Sequence, residues 1–336
     1  MLCLKEIILH PPTNSTTILS KLLIRTPLIS CGVLFLLFMQ KTTLFLVIIF
    51  VFLITACEEP VDMVIPQAET TTVAYASQSF DDTLQVYIAR TRHIYDTTRY
   101  RGCDSTAEAF VIHNGNQTPL WYNGKRFIAE GLSAQPGDTI SLQVTGTDNK
   151  HTFAQTIIPK SIIAHSIEIT PSALLIDDVY FSRVQLSFDD PSDETNYYEF
   201  SLTVTQIVDD SSTSYGYHYF RSFDPIMVSE DIMQYEPITM LFSDAMFNGT
   251  HVSIPMYYFL YFFTESLQKV IVVSELRSVT KEHYHYYKTL YKFMYNQSGI
   301  WSGMNLPVSI NGNVENGAGL FSLFTSTRDT VVYDFK

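Results

Sequence analysis

The sequence predicts an all-β protein, and three observations support that prediction. Apolar and polar residues alternate with a period of two along short runs such as Leu84-Gln85-Val86-Tyr87-Ile88. Asn-Gly pairs at 114–115 and 123–124 separate such runs, and this pair is the strongest short-range signal for a β-hairpin. A single helical stripe, between residues 280 and 296, interrupts the alternation.

Residues 70–160 contain several short predicted strands with turn residues between them. Alternating runs at 140–144 and 153–158 follow the two hairpin signals, and Pro136-Gly137-Asp138 supplies a further turn. Short strands at regular spacing are typical of a sandwich. We therefore expect an N-terminal immunoglobulin-like β-sandwich over residues 70–160, which ends at Pro159.

Residues 161–336 are expected to form a second, larger β-rich domain. Runs at 184–188, 198–204 and 269–277 alternate, and residues 256–263 are apolar on both faces. These patterns predict a larger β-sandwich or barrel-like domain.

The second domain is predicted to carry one α-helix at about 280–296. Tyr284, Tyr287, Tyr291 and Met294 recur with helical spacing, and Thr280 is a suitable N-cap residue. One helix that covers part of a sheet agrees with this pattern.

The segment 39–59 has the organisation of an export signal. Lys41 precedes an unbroken apolar run, and the quartet Ile54-Thr55-Ala56-Cys57 follows it. This quartet resembles the lipobox of bacterial lipoproteins, which implies a signal peptide at 39–56 and acylation of Cys57. A transmembrane helix is the alternative, but the apolar run has roughly 15 residues, whereas a span needs about 20. Residues 57–69 then form the lipidated cysteine and a linker.

Residues 1–38 precede what already resembles a complete signal. Leu28-Ile29-Ser30-Cys31 offers a second lipobox, but cleavage there leaves the apolar run of 42–54 in the mature protein. A misassigned start, with translation beginning at Met39 rather than Met1, is the simpler interpretation.

Charge separates the signal from the mature chain. Residues 1–57 carry four basic side chains and one acidic one, a net +3, so a total of −13 leaves −16 for the remainder. A nucleic-acid partner is excluded, because no basic surface is available to neutralise phosphates.

Cys103 is the one cysteine after Cys57, so no internal disulfide is expected. It is interpreted as a partly buried residue rather than a reactive thiol.

Motifs of catalysis or metal binding are not found. The chain has no Gly-x-Ser-x-Gly and no His-Glu-x-x-His, and no cofactor is expected. The acidic turn 189–194 offers oxygen ligands for Ca²⁺, but it is interpreted as a solvated turn. His283 and His285 point in different directions on a helix and are interpreted as exposed or capping residues. We expect a protein without catalytic activity; a hydrolase is the alternative.

Three tyrosines form the candidate contact surface. Tyr215, Tyr217 and Tyr219 alternate with Gly216 and His218, so a strand would place all three on one face. Such a row suits a partner surface or a sugar. Cross-strand aromatic pairing within the second domain is the alternative.

Four stretches carry a family resemblance. They are Phe188-Asp189-Asp190-Pro191 with Asn196-Tyr197-Tyr198-Glu199-Phe200, then Phe242 to Gly249, the tyrosine-rich helix from Ser278 to Tyr287, and Asn313-Val314-Glu315-Asn316-Gly317-Ala318-Gly319-Leu320-Phe321. In these stretches the chain resembles the domain-of-unknown-function 4249 family of Bacteroidota outer-membrane lipoproteins.

The resemblance implies a location and a partner. Members of this family are similar to lipoproteins found alongside TonB-dependent transporters, and Glu58-Glu59 is similar to the acidic tag that directs such proteins to the cell surface. We expect a binding or accessory subunit of a transporter, anchored in the outer membrane through Cys57. A stand-alone surface adhesin, or a lipoprotein that binds glycan or peptide itself, is the alternative.

Overall fold

A computed structural model describes residues 45, 69–93, 102–146, 150–192, 194–208, 211–216, 220–235, 237–259, 267–298 and 308–334. Residues 67–336 form one compact unit. Most of the described chain is β-strand, as predicted. Among the described residues, no helix combines the length and the apolar character needed to cross a membrane.

Seven strands build the first sandwich. They are β1 Thr72–Ser79, β2 Leu84–Arg90, β3 Glu108–His113, β4 Asn116–Tyr122, β5 Phe127–Ala129, β6 Thr139–Thr145 and β7 His151–Ile157. Their hydrogen-bonded order is β1-β2-β5-β4-β3-β6-β7. Lettered A to G along the chain, this is A-B-E-D followed by C-F-G, the order of an immunoglobulin constant-type sandwich. The predicted immunoglobulin-like sandwich is confirmed.

The predicted hairpins of this region are also present. Asn114 and Gly115 join β3 to β4 with φ of 51° and 77°, and two positive φ angles are the requirement of a type I′ turn. Asn123 begins the loop from β4 to β5, where its side chain accepts hydrogen bonds from the backbone N–H groups of Lys125 and Arg126.

Ten further strands follow the first sandwich in the described chain. They are β8 His165–Ile176, β9 Val179–Asp189, β10 Tyr197–Val208, β11 Ser211–Gly216, β12 Phe220–Arg221, β13 Met240–Ser243, β14 His251–Tyr258, β15 Leu267–Val279, β16 Val314–Glu315 and β17 Gly317–Asp334. Strands β12-β14-β9-β8 form one sheet. Strands β11-β10-β15-β17 continue the sheet of the first sandwich, and β13 pairs with β10.

The second core lies between these two sheets. Leu186 and Ile254 of the four-stranded sheet are fully buried together with Phe200 and Val272 of the other. Facing sheets with a shared apolar core make a sandwich. The described sheets are open, which favours the sandwich over the barrel-like alternative.

Strand β17 connects the two sandwiches. Its first half runs parallel to β1 and adds Phe321 and Leu323 to the first core. Its second half runs antiparallel to β15, and Val331 and Tyr333 pack against the second core. The division near residue 160 stays a prediction, since the C-terminal strand belongs to both cores.

Close backbone contacts explain the C-terminal glycines. Gly319 has φ of 119°, and a Cβ there would lie 2.0 Å from the carbonyl oxygen of Ala74. A Cβ on Gly312 would lie 2.0 Å from the carbonyl oxygen of Gly319. The side chain of Asn313 accepts from the N–H of Phe321 and donates to its carbonyl. The Asn-x-x-x-Gly-x-Gly-x-Phe stretch therefore packs three segments of backbone together.

Two α-helices accompany the strands in the described chain. The long one, α2, spans Lys281–Ser298 and confirms the predicted helix. Thr280 is its N-cap: the hydroxyl accepts from the N–H of His283 at 3.2 Å. The other, α1, spans Pro225–Ser229 and was not predicted, because five residues are too few to show helical periodicity.

Candidate functional site

The family stretches meet around buried carboxylates. Asp190 accepts a hydrogen bond from the hydroxyl of Tyr198 and another from the N–H of Gly249, at 2.7 Å. Asp244 accepts from the N–H of Asn196 at 2.8 Å. Burial is the main cause that raises the pKa of Asp244, and burial with the Asp190 bond raises the pKa of Tyr198. These contacts tie β10 to the loop after β13.

A second cluster surrounds Glu199 on β10. Its carboxylate accepts hydrogen bonds from the guanidinium of Arg277 at 3.0 Å and from the hydroxyl of Thr239 at 2.7 Å, and it lies 3.2 Å from Nε2 of His283. Burial alone would raise the pKa of Glu199, but these partners outweigh it and lower the pKa to about 2. The carboxylate is therefore ionised, and it fixes α2 to the sheet through His283.

Glu230 forms a third cluster against α2. It accepts from the hydroxyl of Tyr284, from Lys288 at 3.0 Å and from the backbone N–H of Ser243 at 2.7 Å. Burial and the Glu230 hydrogen bond raise the pKa of Tyr284. A buried charge needs such partners, since an unpaired one is very costly. All three clusters serve as structural attachments between elements.

Two interpretations of the sequence are corrected by these clusters. His283 is fully buried, neither exposed nor only a capping residue. Asp190 is also buried, so the turn 189–194 is not solvated throughout. Strand alternation places Glu199 opposite the core-facing Tyr198 and Phe200, a pattern typical of a solvent-facing position. Helix α2 covers that face, which local alternation does not reveal.

An open cleft of about 1100 Å³ lies beside these clusters. Its floor includes the outer face of β7, where Phe153, Gln155 and Ile157 point away from the first core. One wall includes Tyr197 with the first turn of α2, and the other is the segment 312–315. The cleft therefore lies between the first sandwich and the start of α2.

Carboxylates dominate the charges of the cleft. Glu194, Glu282 and Glu315 line it together with one cation, Lys281, and all four are exposed. Lys160 lies 3.6 Å from Glu194. Burial raises the pKa of Tyr197, and nearby carboxylates, Glu282 among them, raise it further. Three carboxylates against Lys281 and the nearby Lys160 leave the lining with a net negative charge.

Most predicted site residues lie outside the described residues. This applies to Ile54, Thr55, Ala56, Cys57, Glu58, Glu59, Tyr217 and Tyr219. Tyr215 lies on β11, where its backbone pairs with Val204. The lipid anchor, the export tag and the tyrosine surface stay predictions.

The cleft was missed by the sequence analysis, although one signal pointed to it. Residues 153–158 were predicted as a strand, and its outward positions include two large apolar residues. Phe153 is 41% exposed and Ile157 is 56% exposed. Apolar side chains at positions where water-facing residues are expected often mark a binding surface.

The described residues offer neither a metal site nor an exposed thiol. Among the described residues, no group of three or more His, Cys, Asp or Glu side chains is arranged to hold a metal ion. Cys103 is partly buried, and its thiol donates to the carbonyl of Lys125 at 2.9 Å.

Comparison with known proteins identifies a family. A family model described as a domain of unknown function, DUF4249, matches residues 58–330. No curated protein matches the chain.

Proposed function

The chain belongs to the domain-of-unknown-function family DUF4249, and from that premise we propose that it is a lipid-anchored binding protein without catalytic activity. In this proposal Cys57 is acylated and the protein faces the cell surface from the outer membrane. It acts there as an accessory subunit of a TonB-dependent transporter.

The observation that carries the proposal is the position of the cleft. Glu69 is where the described sandwich region begins, and it forms an ion pair with Lys150 next to β7. Thr72 pairs with Gly317, two residues after Glu315 on the cleft wall. The cleft therefore lies at the end of the unit from which the predicted tether leaves.

The length of the tether supports a partner in the same membrane. Twelve peptide units separate Cys57 from Glu69, and an extended chain of that length reaches about 40 Å. Two or more acyl chains hold a protein stably at a membrane, whereas one holds it marginally. A tether of that length would keep the sandwich region near the membrane, where its cleft could meet a protein embedded in the bilayer.

Direct capture of a ligand is the second candidate, and the size of the cleft favours it. Small-molecule sites are typically about 300–1,000 Å³. This cleft, at about 1100 Å³, is slightly larger and has room for such a ligand. A surface protein that binds peptide or glycan by itself would use the same cleft without a transporter.

Affinity purification tests the proposal. A C-terminally tagged protein is isolated from detergent-solubilised outer membranes, next to a Cys57→Ala variant. We expect a near-stoichiometric transporter barrel with both forms. A barrel recovered only with the acylated form would show that the shared membrane, not docking, explains the result. No barrel with either form would overturn the transporter proposal in favour of direct capture.

A further inference from the structure

We infer that the cleft binds an extended peptide segment in which basic side chains alternate with apolar ones. This inference rests on the proposed function, because it names what the binding protein binds. This cleft lies between β7, the start of α2 and the segment 312–315.

The side chains on the floor of the cleft have the same spacing as those on one face of an extended peptide. Phe153, Gln155 and Ile157 occupy alternate positions of β7 on its outer face. Alternate residues of a strand are about 6.6 Å apart. A peptide in extended conformation has the same spacing between side chains on one face. Two apolar side chains of such a peptide can therefore contact Phe153 and Ile157, with Gln155 between them.

The walls of the cleft select positive charge. Glu194, Glu282 and Glu315 come from three different elements, and all are exposed and able to turn towards an occupant. Lys281 lines the cleft with them and Lys160 lies 3.6 Å from Glu194, so the net negative charge of the walls is smaller than three carboxylates alone would give. The chain after Cys57 has a net charge of −16, the total of −13 less the +3 of residues 1–57. A field of this sign attracts basic segments and repels acidic ones.

A peptide agrees with this lining better than a glycan does. Ile112 and Ile157 contribute aliphatic surface to the cleft, beside the aromatic rings of Phe153 and Tyr197. A sugar gains its apolar contact by stacking on a flat ring, whereas an apolar peptide side chain can pack on aliphatic and aromatic surface alike. The carboxylates of the walls could accept hydrogen bonds from sugar hydroxyl groups, but a cation would gain the charge–charge attraction as well. The combination of a mixed aliphatic and aromatic floor with acidic walls therefore favours a peptide that carries both apolar and basic side chains.

Binding of defined peptides to the full-length protein in detergent tests the inference. The probe is a fluorescein-labelled heptapeptide in which lysine alternates with valine and a central phenylalanine. A matched peptide has glutamate in place of lysine, and a third has serine in place of the apolar residues. We expect the lysine–valine peptide to bind at least tenfold more tightly than the glutamate peptide, as measured by anisotropy. Its affinity should fall when salt rises from about 50 to 300 mM, since salt screens exposed charges.

Substitutions within the cleft separate its two contributions. Glu282→Gln combined with Glu315→Gln should weaken the lysine–valine peptide about two- to fivefold per carboxylate, as expected for exposed ion pairs. Ile157→Thr should weaken that peptide but leave the lysine–serine peptide unchanged. The matched control is Glu130→Gln with Glu168→Gln, two exposed carboxylates outside the cleft. Thermal unfolding midpoints verify that each variant is folded.

Two results would overturn the inference. One is equal binding of the lysine and glutamate peptides. The other is a Glu282→Gln, Glu315→Gln variant that binds the lysine–valine peptide as the control pair does.

Affinity purification with the same variants keeps the two proposals distinguishable. If the barrel co-purifies and the cleft binds no basic peptide, the inference fails and the transporter proposal stands. If the peptide binds without any barrel, the transporter proposal fails and the inference stands as direct capture. If the Glu282→Gln, Glu315→Gln variant loses both the lysine–valine peptide and the barrel, the peptide segment that the cleft binds is part of the transporter.

Discussion

The two sandwiches keep their polar groups in different places. The buried polar side chains of β1 to β7 are the threonines 72, 152 and 156, and none of them is charged. Between residues 160 and 290 of the described chain, the buried acidic and histidine side chains are His165, Asp190, Glu199, Glu230, Asp244 and His283. The first sandwich is thus held by apolar packing, and the second by apolar packing together with directed ionic contacts.

The buried ionic contacts of the second sandwich serve to position helix α2. Helix α2 lies on the outer face of β10, so both faces of that strand are covered. Apolar packing is non-directional, whereas a hydrogen-bonded ion pair fixes the position of each partner. The carboxylates of Glu199 and Glu230 give α2 one position on the sheet. We expect the second sandwich to respond more strongly to loss of charge than the first, whose ion pairs, such as Arg90–Asp104, are partly exposed.

The largest effect is expected for Glu199→Gln. Loss of the carboxylate removes one of the two acidic partners of Arg277, which keeps Glu275, and removes the acceptor that faces His283. Breaking a buried pair from one side costs about 3–5 kcal/mol. Chemical denaturation measures the change in the free energy of unfolding. The exposed Glu168→Gln is the matched control and should change it by less than about 0.5 kcal/mol. Equal effects of the two substitutions would contradict the structural role of Glu199.

The second largest effect is expected at acid pH, which should lower the stability of the second sandwich. The pKa of Glu199 is about 2 in the folded protein, below its ordinary value of 4.5. The contribution of the ionised carboxylate to the free energy of unfolding is therefore fully present above pH 4.5. It is lost as pH falls from 4.5 towards 2, because the unfolded chain takes up the proton first. The loss is at most roughly 3 kcal/mol for a shift of this size.

Unfolding midpoints between pH 5 and pH 2 measure this loss. Glu199→Gln should flatten the profile in that interval, because the titrating group is absent. A variant with the same acid profile as the natural chain would show that other carboxylates cause the loss.

A smaller effect is expected where β17 enters the first sandwich. Gly319→Ala places a Cβ against the carbonyl of Ala74 at a φ of 119°, and backbone strain alone costs about 1–3 kcal/mol. Gly115→Ala is the matched control, since its φ is 77° and nothing lies within 4 Å of the added Cβ. Chemical denaturation should show the larger loss for Gly319→Ala. Equal losses would mean that the close approach to β1 relaxes without cost.

The smallest effect is expected at the N-cap of α2. Thr280→Ala removes the hydroxyl that accepts from His283, which costs about 0.5–2 kcal/mol. Thr280→Ser keeps the hydroxyl and should be nearly neutral in the same unfolding measurement. If serine is as destabilising as alanine, the methyl group rather than the cap accounts for the effect.

Local patterns predicted the elements that depend on neighbours in the chain. The Asn-Gly turns, the alternating strands β2, β6 and β7, and the tyrosine stripe of α2 all have a short-range cause. Strand β1 was not predicted, because its buried positions are Thr72, Ala74 and Ala76, whose small or polar side chains give little contrast with their neighbours. Strand β8 was also missed; its register shifts between Thr170 and Leu174, which breaks the alternation.

The sequence by itself determined the all-β class, the immunoglobulin-like first sandwich, the helix and the family. These follow from side-chain periodicity, turn chemistry and the order of motifs, which a single segment of chain carries. Only the tertiary structure decided that Glu199 and His283 are buried partners, that β17 joins both cores, and that a cleft opens beside β7. Each of these depends on segments distant in the chain, such as residues 199 and 283, and their proximity is a property of the packed fold.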